Sequence, residues 1–296
     1  MLRRYVVTGR EGQVVSALLE RAKHWPEIEV LPLGRPLLDL SSHQTINKAI
    51  SAAKPDIIIS VAAYTAVDQA ETDEAVAFSV NADAVGHIGE VAADLGVPVV
   101  HISTDYVFDG EKNAPYNEDD PVRPLGVYGR SKLEGEKLLA GATSNYAILR
   151  TAWVYSPFGK NFVRTMLRLA ETRDTIGVVA DQYGNPTSAL EIADGVLKVA
   201  DNLLSSNDEI LRGTFHMSGS GDASWADFAH TIFQLSGEVG GPLAAVNSIT
   251  TAEYPTPARR PMNSRLDCDK LYNVHGVRLP HWKMSAAEVV SKILNS

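Results

Sequence analysis

The sequence predicts an α/β fold, a doubly wound parallel sheet followed by a smaller C-terminal lobe, and three observations carry that prediction. Short β-rich runs alternate with longer helical patterns through the first half, two of the runs (IIIS and VPVVHIS) are apolar almost without a break, and after Arg150 the rhythm loosens into an irregular last third. Alternation of strand and helix implies crossover connections and parallel pairing. Strands covered by helices on both sides are buried on both faces, so their apolar residues run on instead of alternating.

Taken in order, RYVVTG reads as the first strand, GQVVSALLERAKHW as a helix, EIEVLPLG as a strand, SHQTINKAISAA as a helix and PDIIISVAAY as a strand. The helical pattern EAVAFSVNADAVGHIGEVAADLG, the strand GVPVVHIS, a helix around VYGRSKLEGEKLLAG and the strand SNYAILR complete about five β–α units. Beyond Arg150 the sequence predicts a loop through TAWVYSPFGKN, an amphipathic helix near FVRTMLRLAETR, a strand at TIGVVADQ and a helix over SALEIADGVLKVADNLL. The strand GTFHMSG and the helix WADFAHTIFQLSG follow, and then YPTPARRPMNSR, whose prolines exclude a regular helix.

A chain of 296 residues with 45% hydrophobic content can bury a sizeable core. No apolar run approaches the roughly 18 residues that a membrane helix needs. MLRRYVVTG is too poor in apolar residues for a secretory leader, so Met1 is expected to be a bare start. The single cysteine, Cys268, allows no internal disulfide and suits a reducing cytoplasm, with a small half-buried residue as its expected role. A net charge of -9 argues against nucleic-acid or anionic-membrane partners, so an anionic ligand must be met by local cations.

Gly9-Arg10-Glu11-Gly12-Gln13-Val14-Val15 follows the first strand and opens a helix, where glycines let the backbone approach a pyrophosphate at the helix N-terminus. A plain strand-to-helix turn is the alternative, and position at the first β–α junction favours the cofactor. The second strand ends Leu33-Gly34-Arg35 in place of the acidic residue that would bond the ribose of NAD. Arg35 and Arg10 are candidates for pairing with a 2′-phosphate, which favours NADPH over NADH, the alternative being that both are ordinary solvated surface charges. Asp39 and Leu40 are placed to flank the adenine, and Ala62, Ala63 and Tyr64 to line the crevice.

Tyr128 and Lys132, in YGRSK, stand at i and i+4 and so share one helical face. A free tyrosine has a pKa of about 10, and a cation beside it is expected to lower that value and make it a usable general acid. With 10 tyrosines and 11 lysines, about 0.4 chance pairs at this spacing are expected, so context must decide. The context is a strand ending in Ser103 and Thr104, with Asp105 next, which sets hydroxyls at the sheet's carboxyl edge within reach of a substrate carbonyl oxygen.

GREGQV, AAYTAVDQAE, NADAVG, STDYVFDG, VYGRSKLEGE, RTAWVY, DQYGNPT and RPMNSRLD together resemble the extended short-chain dehydrogenase/reductases, and within them the dTDP-4-dehydrorhamnose reductase family, nearly end to end. The resemblance implies a Rossmann-like fold and NADPH-dependent reduction of the C4 keto group of dTDP-4-dehydro-6-deoxy-L-mannose. It implies Thr104, Tyr128 and Lys132 as catalytic residues. It implies cofactor contacts from Gly9, Gln13, Val14, the region of Asp39 and Leu40, Ala62 to Tyr64, Tyr128 and Lys132. Asn81 is a candidate support for Lys132 through a water chain. Trp153 is a candidate to pack over the sugar, a core position being the alternative, with Asn161, Arg260 and Arg265 candidates for the diphosphate and Gln182, Tyr183, Asn185 and Thr187 around the ligand cleft or in a turn.

Residues 1–150 are expected to form the dinucleotide-binding domain, with 176–222 returning to it, and 151–175 and 223–296 the nucleotide-sugar lobe of a monomer or homodimer. Val15 stands where a third glycine is usual. Ala17 stands where some relatives carry an acidic residue for magnesium, so no metal is expected. Thr104-Asp105-Tyr106 lacks the glutamate that a sugar-nucleotide dehydratase needs, and an epimerase usually lacks the DQYGNPT and RPMNSRLD pair. A non-catalytic NADP-binding subunit of methionine adenosyltransferase type is the competing reading, and a turnover assay separates the two.

Overall fold

The computed structural model of the chain describes residues 2–295; Met1, read above as a bare start, lies outside the described residues. The strands β1 (Arg3–Thr8), β2 (Ile28–Leu33), β3 (Ile57–Ser60), β4 (Val99–Thr104) and β5 (Tyr146–Thr151) join Gly213–His216 in a six-stranded sheet. All its pairings are parallel, and the order is 213–216, β5, β4, β3, β1, β2. The chain steps from β1 outward to β2 and then back to β3 on β1's other side, which opens a crevice at the carboxyl ends between β1 and β3.

The continuous apolar runs have the predicted cause. Tyr5, Val7, Ile57, Ile59, Val100, Leu149 and Phe215 point into one core layer, under the helices Gln13–Arg21, Ala189–Ser205 and Trp282–Leu294. Their neighbours Val6, Ile58, Val99 and Ile148 point into the other, under His43–Ala53, Ala84–Leu95 and Val127–Ala142. Successive strand side chains take opposite faces, so both sets must be apolar. Each such side chain contributes about 1.5–3 kcal/mol of burial. Pro32 sits in β2, an edge strand, where its missing N–H costs no ladder bond.

Gly213–His216 and Ala189–Ser205 pack with the large sheet, whereas Thr175–Val179 pairs with Ala245–Ile249 in a separate two-stranded sheet. That small sheet, the helices Phe162–Ala170 and Trp225–Glu238 and the irregular segment after Ile249 lie beside the carboxyl edge of the large one. DQYGNPT acts as a latch: Asn185 donates to Gly221 O (2.8 Å) and accepts from Leu266 N (2.8 Å), while Thr187 Oγ1 accepts from Gly219 N (3.1 Å). The strand Ala245–Ile249 and the helices Asp269–His275 and Trp282–Leu294 are additions to the elements read from the sequence; AVNSI is short and mostly exposed, so pairing partner and not local pattern makes it a strand.

Candidate active site

A cleft of about 520 Å³ opens at the carboxyl ends of β1, β3, β4 and β5. Gly12, Gln13 and Val14 line it from the first turn, Ala62 and Ala63 from the end of β3, Ser103, Thr104 and Asp105 from the end of β4, Tyr128 and Lys132 from the following helix, and Trp153 from beyond β5. Gly12 has φ of 119°, in the left-handed region, and the place a Cβ would take is open space. The N-terminus of Gln13–Arg21 is thereby left clear for an anion. Thr8 Oγ1 accepts from Val61 N (2.9 Å) and Ala62 N (3.1 Å), which fixes the two walls of the crevice against each other.

The helix Val127–Ala142 carries Tyr128 and Lys132 and is seated by its glycines and by an acidic cap. A Cβ at Gly129 or Gly135 would collide with the backbone oxygen of Tyr106 or Asn81, so the helix lies backbone to backbone against the loop after β4 and against the π-turn Ser79–Asp83. Glu71, from the motif AAYTAVDQAE, accepts from Val127 N (2.9 Å) at the helix start, where a carboxylate also complements the dipole. Asn81 makes no direct hydrogen bond to Lys132. Its amide is taken up by Tyr64 N (2.8 Å), Tyr64 O (3.1 Å) and Ser131 Oγ (3.0 Å).

The electrostatics also correct the simplest expectation for the Tyr/Lys pair. Lys132 Nζ donates to Ile102 O (2.7 Å) and reaches His101 Nε2 (3.1 Å). Burial pushes the Tyr128 phenol well up, the Thr104 hydroxyl opposes it and the charges of Asp105 and Tyr106 add to it. The shared face is as predicted, but in this state the lysine does not bring the phenol toward neutrality. Burial brings Lys132 down to about 8, against the pull of Glu136. Burial pushes Asp105 up to about 6, against the Ser264 and Thr104 hydroxyls, and Thr104 Oγ1 donates to Asp105 Oδ1 (3.0 Å).

Other candidates lie outside this cleft. Arg10 packs across Gly34, whose Cβ would fall 2.9 Å from Arg10 Cγ, which sets Arg10 beside the end of β2, where Arg35 is next along the chain. Arg35 is largely exposed and pairs with Asp39 (3.0 Å), while Ser41 holds the Asp39 carboxyl below its usual range. Leu40 packs against the second core layer, Gly9 lies under Ala62, and the Tyr64 hydroxyl donates to Asp73 (2.9 Å). Asn161 caps Phe162–Ala170, accepting from Arg164 N and donating to Ser156 O and Phe158 O. Arg265 is bound to Asn263, Asp222 and Asn113 O. Neither Asn161 nor Arg265 lines either of these two clefts, and each holds a loop through the bonds just described.

A second cleft, about 370 Å³, adjoins the first through Tyr106, which lines both. Phe162, Met166, Ile176, Val178, Trp225 and Tyr254 give it apolar walls, with Arg173, Gln182 and Arg260 among its polar groups. Arg260 donates to Tyr106 Oη (3.0 Å) and Asp68 Oδ2 (2.8 Å). Trp153 stacks on Trp225 at 3.6 Å between ring centroids, so it packs on a ring of the lobe as well as facing the first cleft. Tyr106, Thr65, Trp225 and Arg173 were not singled out from the sequence. Tyr106 directly follows the Thr104-Asp105 pair and Thr65 directly follows Tyr64, and those adjacencies are the local signals that were available.

This combination of a parallel sheet, a switch-point crevice and a Tyr/Lys helix defines a Rossmann-type dinucleotide-binding α/β protein. The RmlD substrate binding domain family matches residues 3–295. A dTDP-4-dehydrorhamnose reductase of Sinorhizobium fredii is 54% identical, covering 98% of each chain, and that of Escherichia coli K12 is 39% identical, covering 87% of this chain and 86% of its own. Among solved structures, a dTDP-4-dehydrorhamnose reductase of Clostridium acetobutylicum superposes with a TM-score of 0.91 at 38% identity over 99% of this chain and all of its own. One from Bacillus anthracis, solved in complex with NADP, superposes with a TM-score of 0.91 at 32% identity over the same shares. The chain belongs to the RmlD substrate binding domain family.

Proposed function

We infer that the protein is an NADPH-dependent oxidoreductase that reduces the C4 keto group of dTDP-4-dehydro-6-deoxy-L-mannose to dTDP-L-rhamnose. The observation that carries this reading is the meeting of Thr104, Tyr128 and Lys132 with Gly12–Val14 and Ala62–Ala63 in one cleft. The residues fit the cofactor: an open glycine turn stands at a helix N-terminus, and Arg10 packs against Gly34 at the end of β2, with Arg35 the next residue. Bound there, the nicotinamide supplies a hydride to the carbonyl carbon.

The chain's own groups deal with the oxygen. Reduction makes an alkoxide, a far stronger base than any phenolate, so a phenol held in its protonated form is the right species to donate. Tyr128 gives that proton, Thr104 orients the oxygen, and the Lys132 ammonium stabilises the phenolate left behind. Arg260 and the apolar second cleft are assigned to the nucleoside diphosphate, which reconciles a chain of net charge -9 with an anionic substrate. The reading divides the chain into a dinucleotide-binding part, 1–150 with the helix Ala189–Ser205 and the strand Gly213–His216, and a lobe that includes the Thr175–Val179 strand.

Purified protein with NADPH and the keto sugar should oxidise the cofactor, and a panel of dTDP-, UDP- and GDP-linked keto sugars should rank dTDP first. No wild-type turnover alongside tight NADPH binding would replace this reading with the regulatory-subunit one. Arg260→Gln is expected to raise KM for the nucleotide sugar about tenfold or more while changing kcat less, the sign of lost uniform binding. Arg35→Asp is expected to weaken NADPH relative to NADH by about tenfold, as one charge-assisted phosphate contact implies, and an unchanged ratio of kcat/KM values contradicts it. No described helix is long and apolar enough to cross a membrane. The reading includes action in the cytoplasm as a monomer or homodimer, and the oligomeric state is open to sedimentation measurements.

A further inference from the structure

We propose that His101 is a positioning residue for Lys132, a neutral imidazole whose Nε2 accepts a hydrogen bond from the ammonium and so fixes the direction in which that ammonium is held. His101 is buried on β4, in parallel register with Ser60 on β3, and its Nδ1 lies 3.0 Å from Ser60 Oγ. Its Nε2 lies 3.1 Å from Lys132 Nζ. A protonated lysine only donates, so Nε2 must be the bare nitrogen, and Nδ1 carries the proton and donates it to Ser60. Burial, and then the neighbouring charge of Lys132, hold the imidazole well below its ordinary range, which keeps it neutral and able to accept.

The ammonium has three N–H groups. Ile102 O (2.7 Å) takes one and His101 a second, which pins the third in direction on a side chain that lines the cleft. One carbonyl alone would leave the ammonium free to rotate about a single bond. Asn81, the other group proposed behind the lysine, bonds directly to Tyr64 and Ser131, whereas His101 touches the ammonium itself. The ionisable groups around the pair are Tyr128 and Glu136 on the helix, Asp105 and Tyr106 after β4, and Arg150 on β5, which is paired with Glu136; β3 contributes only Ser60.

The kinetic half of the test rests on the reductase reading and the spectroscopic half does not. In cofactor-free protein, ¹⁵N spectra of the imidazoles, assigned with His101→Gln, should show His101 neutral with Nδ1 protonated between pH 6 and 9. Its Nε2 signal should shift with a midpoint near the Lys132 value of about 8, a step missing in Lys132→Met. Under turnover, His101→Leu should lower kcat about ten- to a hundredfold, as loss of alignment does. It should also move the alkaline limb of the kcat profile to lower pH, because an ammonium that loses an acceptor gives up its proton more readily. His101→Gln, whose amide oxygen reaches the Nε2 position, should restore most of both, whereas His101→Asn, which reaches only the Nδ1 position, should not.

An Nε2-protonated or cationic imidazole overturns the proposal. So does a Leu variant with wild-type kcat and limb, or, if that variant does not fold, equal kinetics for Gln and Asn. The predicted spectrum in a protein without turnover would remove the reductase reading and leave the hydrogen bond established.

Discussion

Tyr128→Phe is expected to lower kcat by about 10²–10⁴-fold while changing NADPH affinity by no more than a few-fold. The substitution removes one oxygen from a partly buried ring that packs edge-on against Tyr106 at 5.6 Å, so the helix and both clefts should keep their shape. What is lost is the proton that quenches the alkoxide. Water is a poor replacement in a cleft whose burial raises the Tyr128 and Asp105 pKa values and depresses that of Lys132. Stopped-flow or steady-state oxidation of NADPH, with affinity followed by cofactor fluorescence, measures the two effects separately. A variant with more than about a tenth of wild-type kcat would assign the acid elsewhere, and Asp105, pushed up to about 6 and beside Thr104, would be the next group to test.

Arg150→Met should cost about 3–5 kcal/mol of stability, the largest loss expected from any single substitution outside the core. Glu136 and Arg150 are 6% and 7% exposed, and the carboxylate receives Arg150 Nη2 at 2.7 Å, Arg150 Nε at 3.0 Å and the Ser103 hydroxyl. Removing the guanidinium leaves a carboxylate out of water with one hydroxyl for company, and the penalty is that of an uncompensated charge. The double variant Arg150→Met with Glu136→Leu should recover most of the loss, because an apolar pair of similar volume carries no desolvation cost. Urea midpoints of the two variants decide it, and a single variant within about 1 kcal/mol of wild type would mean that water reaches the pair. The consequence is not confined to stability. Glu136 lies one turn beyond Lys132 and raises the lysine's pKa against burial, so the single variant also bears on the cofactor end of the cleft.

The strand and helix alternation was legible because each element satisfies a short-range rule: period two with both faces apolar in β1, β3 and β4, and 3.6-residue amphipathicity in the helices that cover them. The π-turn at Ser79–Asp83 was invisible inside one helical pattern, since NADAVG reads as helix at every window and only the approach of Gly135 to the Asn81 backbone marks the bulge. The site was legible where chemistry is written in adjacent residues, as in Ser103-Thr104-Asp105 and the Tyr128/Lys132 spacing. Arg265 and Asn161, read as phosphate groups because they are cationic or amide residues in suggestive motifs, line neither of the two clefts. Their partners, Asp222, Asn263 and the carbonyls of Asn113, Ser156 and Phe158, include groups far along the chain as well as near it.

Local periodicity and residue chemistry thus dictated the parallel α/β architecture, the glycine turn and the shared face of Tyr128 and Lys132, because each depends on neighbours within about one helical turn or strand. Packing alone settled that the Lys132 ammonium reaches across to His101 and Ile102, that Tyr106 joins the two clefts, and that Trp153 finds Trp225. A buried donor takes whichever acceptor the fold brings within reach, and that acceptor is chosen by contacts between segments that lie tens of residues apart.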